Sequence, residues 1–308
     1  MQTVKTASVQ AEPVTDASRI IAVNRQSVRE KMRSYLRKPF SLVAMALVMA
    51  GAAITVGAVL WVLIYTLVQG IPNLSAKLFA WEYTTQNQTM LPAIINTLFI
   101  ALSALVIAVP VGVFAAIFMV EYAGSDNIFV KIVRMAAETL AGIPSIVYGI
   151  FGMLLFVQAF GWGTCVLSGA LTMALMCLPL VMRTTEEALK SVPAAFREGS
   201  YALGAGKLRT IFVIVLPSAM KGIISGIILS LGRIVGETAA LIYTAGTATA
   251  VASGFLKGGE TLSIHVYILA TNALYEKEAW AAAVVLILLV LVINGLAEFV
   301  GNRLKREY

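Results

Sequence analysis

The sequence predicts an all-α, polytopic membrane protein of six transmembrane helices. Three observations carry this: the composition, the length of the apolar runs and the sidedness of Lys and Arg. Hydrophobic residues make up 59% of the chain and charged residues 13%, against about 45–50% and about 25% in a soluble domain. A bilayer core roughly 30 Å thick takes about 20 residues of helix, and runs of that kind with few charges recur along the chain.

The first run, Ser41 to Gln69, has no charge and is long enough to tilt or protrude. Pro92 to Val120, Met135 to Phe160 and Thr164 to Met182 follow. The fifth, Phe212 to Ala245, is too long for one simple span, so it extends past the hydrocarbon or breaks inside it. The sixth is Ala279 to Val300. Pro144 with Gly142 and Gly149, and Pro110 with Gly112, permit bending, and close packing explains these residues equally well.

Lys and Arg collect on cytoplasmic flanks. Residues 1–40 hold eight, 121–134 two, 183–209 five and 301–308 three, together 18 of the 23. Six spans put all four segments on one side, while loops 70–91 and 246–278 hold only Lys77, Lys257 and Lys277. The expected order is a basic N-terminal tail (1–40), a first transmembrane helix (41–69), a transmembrane domain (70–300) with an external loop at 246–278, and a tail (301–308). The chain is expected in the cytoplasmic (inner) membrane, both termini cytoplasmic. The tail to residue 40 is too long and polar for a cleaved signal peptide. Ile21, Val28, Met32 and Tyr35 recur at helical spacing among its arginines, which fits a helix on anionic lipid as well as a solvated tail.

The net charge of +7 raises nucleic acid as a partner, but the positive residues flank apolar spans and no basic groove module accompanies them. No nucleic acid is expected; the lipid bilayer is. Cys165 and Cys177, twelve helical residues and so about 18 Å apart, lie beyond disulfide reach. His265 is the single histidine, which leaves no His/Cys cluster for a metal. No catalytic constellation has recognisable spacing, so an enzyme is disfavoured. ALGAGK (202–207) resembles the end of a phosphate-gripping loop, yet Tyr201 stands at its first glycine and Leu208 at its hydroxyl position. No cofactor is expected on this chain.

RTTEEALKSVPAAFREGSYALGAGKLRTIFVIVLP (183–217) is too polar to span. Ala188, Leu189 and Val192 fit one side of a first short helix, interrupted by Pro193. Phe196 and Tyr201 mark a second, with Gly204 and Gly206 as its stop. A helix pair on the basic face suits docking.

Glu198-Gly199-Ser200, then Gly204, then Ile214-Val215-Leu216-Pro217 resembles the E-A-A-x3-G-x9-I-x-L-P signature of ABC-importer permeases, with Gly199 and Ser200 in place of two alanines. The resemblance implies that 183–211 is a coupling loop seated on a separate ATPase, which holds the ATP and Mg. IPSIVYGIFG (143–152), RTTEEALKSVP, REGSYALGAGK and GRIVGETAALIYTA (232–245) narrow it: together they resemble phosphate-importer permeases of the PstA type, from about residue 41 onward. Ala240 stands where that family often has proline. The partners implied are a sister permease of the PstC type, an ATPase dimer of the PstB type and an external phosphate-binding protein.

In the fifth run Ser218, Gly222, Gly226 and Ser230 form a small-residue stripe that lets helices approach closely. Arg233 and Glu237 continue its face and, at i, i+4, are expected to meet. Charges in a span are costly and mark pathways by default. One reading makes the two a buried pair fixing register, or places them near the far interface. The other has them line the route, Arg233 offering a planar fork to an oxyanion and Glu237 competing for it, as the resemblance also implies. Trp81, Tyr83, His265, Tyr267 and Tyr275 either anchor the interface or meet the binding protein. The expectation is a permease translocating inorganic phosphate by alternating access. Another oxyanion (sulfate, molybdate, phosphonate) is the alternative within the class; outside it stands a non-ATP-driven carrier or channel, which needs no dock.

Overall fold

The computed structural model describes residues 39–123 and 127–304; the helical reading of residues 21–35 and the tail beyond 304 lie outside them. Every regular element among the described residues is helical. Among the described residues five helices are long and apolar enough to cross a bilayer, and a pair bent by 103° brings the number to six if counted as one span.

The chain divides into two compact units at Ile64–Tyr65. The described part of the first is the charge-free helix α1 (Pro39–Gly70) up to Ile64. In the second, the end of α1 packs through Tyr65, edge-on to Trp280 at 5.4 Å. A Cβ at Gly70 would overlap the Trp280 carbonyl.

Next come α2 (Leu91–Ile117), continued by a π turn at Phe118–Tyr122, and α3 (Ile128–Ala141). After them, α4 (Ser145–Gly152) is extended by a π turn to Ala159. The third run, expected over Met135 to Phe160 with Pro144, Gly142 and Gly149 permitting bending, is two helices, α3 and α4, bent by 103°. The cause is local. Pro144 cannot donate a hydrogen bond, and a residue preceding proline, here Ile143, is pushed out of helical geometry.

Helix α5 (Val166–Lys190) is the central post. Its apolar stretch is 67% buried, against 22–33% for the other long helices of this unit. It runs two turns beyond the expected Met182, so the first short helix expected in the basic loop is the end of α5. Its charges pair along the helix, Arg183 with Glu187 at 3.1 Å and Lys190 with Glu186 at 2.6 Å. Such i, i+4 pairs keep a helix intact beyond the bilayer. Arg134 of α3 joins the same Glu186 at 2.6 Å.

The short α6 (Ala194–Ala202) follows, and α7 (Lys207–Thr210) passes through a π turn into α8 (Leu216–Gly236). Pro217 lacks the donor a regular turn needs there, which the widened turn before it accommodates. Beyond α8 lie α9 (Ala239–Thr244), α10 (Leu262–Thr271) and α11 (Glu276–Leu304).

Small residues set the helix separations. A Cβ at Gly112 would lie 2.8 Å from Val181 Cγ1 on α5, one at Gly222 2.5 Å from Ala188 Cβ, and one at Gly226 inside the Thr184 side chain. Ser230 is fully buried and its hydroxyl donates to the Gly226 carbonyl at 2.9 Å. Ser218 departs from the expected stripe: it is exposed and donates to Ile214 O at 2.6 Å. Cys165 and Cys177 are buried free thiols.

At the end opposite the basic segments, residues 246–261 fold inward. Backbone carbonyls of Lys257 and Phe255 accept from the first amides of α5, Val166 at 3.0 Å and Leu167 at 2.8 Å, meeting the orphan donors every helix start exposes. Asn96 of α2 grips the same segment, donating to Ala250 O at 3.0 Å and Glu260 O at 3.3 Å and accepting from Ala252 N at 2.9 Å. His265 and Glu260, both 2% exposed in their side chains, pair at 2.8 Å. His265 is therefore not presented to an external partner in this conformation; Trp81 and Tyr267 are exposed.

Two glycine substitutions should act with opposite sign. Gly226→Ala pushes a Cβ into Thr184, whereas Gly295 of α11 has nothing within 4 Å of a built Cβ. Gly295→Ala should stabilise by up to about 1 kcal/mol through helix propensity, and Gly226→Ala should destabilise by about 1–3 kcal/mol through overpacking. Thermal unfolding in detergent measures both.

Candidate functional site

The GRIVGETAA stretch does not continue one helix. After Gly236 the backbone of Glu237 is extended (φ −77, ψ 127), and helix resumes only at Ala239. Arg233 therefore occupies the last turn of α8 while Glu237 lies in the break, and the expected i, i+4 contact is not made. The Glu237 carboxylate turns instead to α9, accepting from Ala240 N at 3.2 Å. Its backbone carbonyl accepts from Ser263 Oγ of α10 at 2.6 Å.

Arg233 is exposed on the chain, and among the described residues it has no hydrogen-bond or ion-pair partner. One turn before it, the Ser230 carbonyl of α8 lies 3.9 Å from Cys177 Sγ of α5. Cys177 is eleven residues into α5, about 17 Å along it, close to the middle of a core roughly 30 Å thick. Arg233 and the break after it therefore lie level with the middle of α5.

Two broken spans meet there. The Cβ position of Gly149 on α4 lies 2.8 Å from Ala240 Cα and 3.0 Å from Ala239 O on α9, so any side chain larger than hydrogen would separate them. Tyr148, one residue earlier, donates to the Leu140 carbonyl at 2.9 Å, which also accepts from Ile143 N at 3.1 Å at the end of α3. Two stretches that carried the resemblance, IPSIVYGIFG and GRIVGETAA, are thus brought together across 90 residues of chain.

Asn294 of α11 is a neighbour that sequence reasoning missed. Its Oδ1 lies 3.4 Å from the Cβ position of Gly232, and that oxygen is buried without a hydrogen-bond partner. A polar residue inside the apolar run of the sixth span was the available signal.

The dock forms a second, separate part. Helix α6 closes with two bonds, Ala205 N to Ser200 O at 3.1 Å and Gly204 N to Tyr201 O at 2.9 Å, the Schellman pattern. Gly204 has φ +79 with open space around its Cβ position, so backbone conformation alone requires glycine. Ser200 is buried against Thr210, their hydroxyls 2.8 Å apart, which fixes α6 to α7. Glu198 and Gly199 are exposed. Phe196, Tyr201, Leu203 and Leu208 add apolar surface, Leu203 being 90% exposed. Leu216 and Pro217, half-buried in the first turn of α8, complete the motif.

Broken helices meeting beside the middle of α5, with a short apolar-faced helix in the basic loop, fit a membrane-embedded transport subunit. Residues 108–306 match the family described as binding-protein-dependent transport system inner membrane component, and the chain belongs to that family. Its relatives include the probable ABC transporter permease protein YqgI of Bacillus subtilis (strain 168), 32% identical over 279 residues, 83% of this chain and 93% of that one. Phosphate transport system permease protein PstA of Yersinia pestis is 32% identical over 287 residues, 90% of this chain and 95% of that one. PstA 1 of Mycobacterium tuberculosis (strain ATCC 25618 / H37Rv) is 38% identical over 220 residues, 70% and 71%. In fold the chain is similar to the bacterial alginate ABC transporter solved with an alginate pentasaccharide-bound periplasmic protein. That match has a TM-score of 0.64 at 16% identity, over 89% of this chain and 98% of that one.

Gly204→Ala should cost about 1–2 kcal/mol locally, the penalty of a left-handed conformation for an L-residue. Hydrogen exchange should then accelerate at residues 200–206 and leave α5 protected; unchanged exchange would contradict the strained-turn reading.

Proposed function

We propose that this chain is the permease of an ATP-driven importer that moves inorganic phosphate across the cytoplasmic membrane by alternating access. The observation that carries the reading is Arg233, level with the middle of α5, without a hydrogen-bond or ion-pair partner among the described residues and beside a helix break. A bare charge in a span costs several kcal/mol, which is tolerable where water or an anion reaches it. The planar fork suits two phosphate oxygens. Phosphate is the cargo named for several relatives at 32–38% identity.

In this reading the Lys- and Arg-rich end is cytoplasmic, with both termini there. Glu198, Gly199, Ser200 and Gly204, together with Leu216 and Pro217, present the dock to an ATPase pair of the PstB type, which holds ATP and Mg. A sister permease of the PstC type supplies the other half of the pathway and faces Arg233. An external phosphate-binding protein delivers the anion to the opposite end. Glu237 does not restrain Arg233 in this conformation; it caps α9 and shapes the break, and it lines the route next to the arginine.

Radiolabelled uptake into proteoliposomes holding the complete complex tests this. Phosphate should enter only with ATP, and unlabelled phosphate should compete where sulfate and molybdate do not. Arg233→Ala should lower uptake at least tenfold, and Glu237→Ala should lower it as well. Uptake unaffected by both substitutions would remove them from the pathway, and competition by sulfate or molybdate would change the cargo. Glu198→Lys should leave ATP hydrolysis running while uptake falls.

A further inference from the structure

Helix α2 carries a cluster of polar grips at each end, one at the dock and one at the loop that reaches the break. The first starts at Arg197, the residue before the dock's Glu198. Its guanidinium donates to Glu121 Oε1 twice, from Nε at 3.1 Å and Nη2 at 2.7 Å. It also donates to Leu189 O in the last turn of α5 at 3.0 Å and to Val192 O just past that helix at 2.9 Å. The Arg197 and Glu121 side chains are 19% and 5% exposed. Such a pair is weakly stabilising in itself, yet removing one partner strands the other. Glu121 belongs to the π turn that ends α2, and Lys207 Nζ sits 4.6 Å above the ring of neighbouring Tyr122. Both ends of the dock segment are thus tied to one turn of α2.

At the far end of α2, about 37 Å away at 1.5 Å per residue, stand Asn96 and Thr97. The Asn96 amide holds Ala250, Ala252 and Glu260, using both its donor and acceptor groups. Thr97 Oγ1 accepts from Leu262 N at 2.8 Å. A Cβ at Gly259 would lie 2.5 Å from Asn96 Nδ2, so the loop fits the amide closely. One residue past Leu262, Ser263 donates to the carbonyl of Glu237 at the break.

We infer that α2 is the connecting rod of the transport cycle, with Arg197–Glu121 gripping it at the dock and Asn96 gripping the loop that closes on the Glu237 break. These three are positioning residues; none is placed against the cargo. The inference rests on the transport reading, and it adds a route by which movement at the dock reaches the break.

The test is a double-mutant cycle in the complete reconstituted complex, reading phosphate moved per ATP hydrolysed. Residues this far apart ordinarily contribute independently. Glu121→Gln, which keeps shape and loses charge, and Asn96→Ser should each lower the ratio about tenfold. The double variant should be no worse than the poorer single, because a rod released at either end transmits nothing. Losses that multiply to about a hundredfold would overturn the inference. If Glu121→Gln fails to assemble, Arg197→Lys keeps the charge without the fork and should give the same non-additivity with Asn96→Ser. Wild-type complex that hydrolyses ATP without moving phosphate would refute the transport reading instead.

Discussion

The constraint on which this structure depends is that hydrocarbon offers no hydrogen bonds. Backbone that leaves helical geometry at membrane depth must find partners within the protein. The break after Gly236 does so with two side chains: the Glu237 carboxylate takes the Ala240 amide, and Ser263 supplies a donor to the Glu237 carbonyl. The bend before α4 is settled likewise, by the Tyr148 hydroxyl at the Leu140 carbonyl. Both interruptions thereby gain side-chain partners for their backbone, and they meet at Gly149.

Close approach supplies the rest of the frame. Gly112, Gly222 and Gly226 bring α2 and α8 against α5, whose buried face forms the middle of the core with Ile100, Met173, Ile234 and Leu241. Where lipid is as apolar as leucine, such contacts and buried hydroxyls replace the hydrophobic effect as the force between helices. Arg233 stands outside this frame. Its five donors have no hydrogen-bond or ion-pair partner among the described residues, which suits a surface that another subunit, water or an anion completes.

Much of this was legible beforehand, for physical reasons. Apolar runs of bilayer length located the spans, and Gly204 announced the stop of α6 because few other residues accept φ +79. The excess length of the fifth run signalled that it extends or breaks. The position of the break was not legible: Gly236, Glu237 and Thr238 carry no proline, and their spacing to Arg233 suits an unbroken helix equally. At the break, Ala239 and Ala240 pack against Gly149, a residue about 90 positions earlier. The full length of α5 was not legible from its apolar run, which stops where charge begins, while the pairs Arg183–Glu187 and Glu186–Lys190 carry the helix further. Glu121, Asn96 and Asn294 are single polar residues in or beside apolar runs, visible as such, but their partners lie far along the chain.

The central claim is that the turn bearing Arg233 faces a pathway opening to each side of the membrane in turn. Substituted-cysteine labelling tests it most directly. With Arg233→Cys in the complete complex, the native Cys165 and Cys177 being buried, the rate of modification by a membrane-impermeant thiol reagent is measured from each face, with and without ATP. The account predicts that the accessible face changes with nucleotide. Labelling from neither face, or from one face regardless of nucleotide, would contradict it.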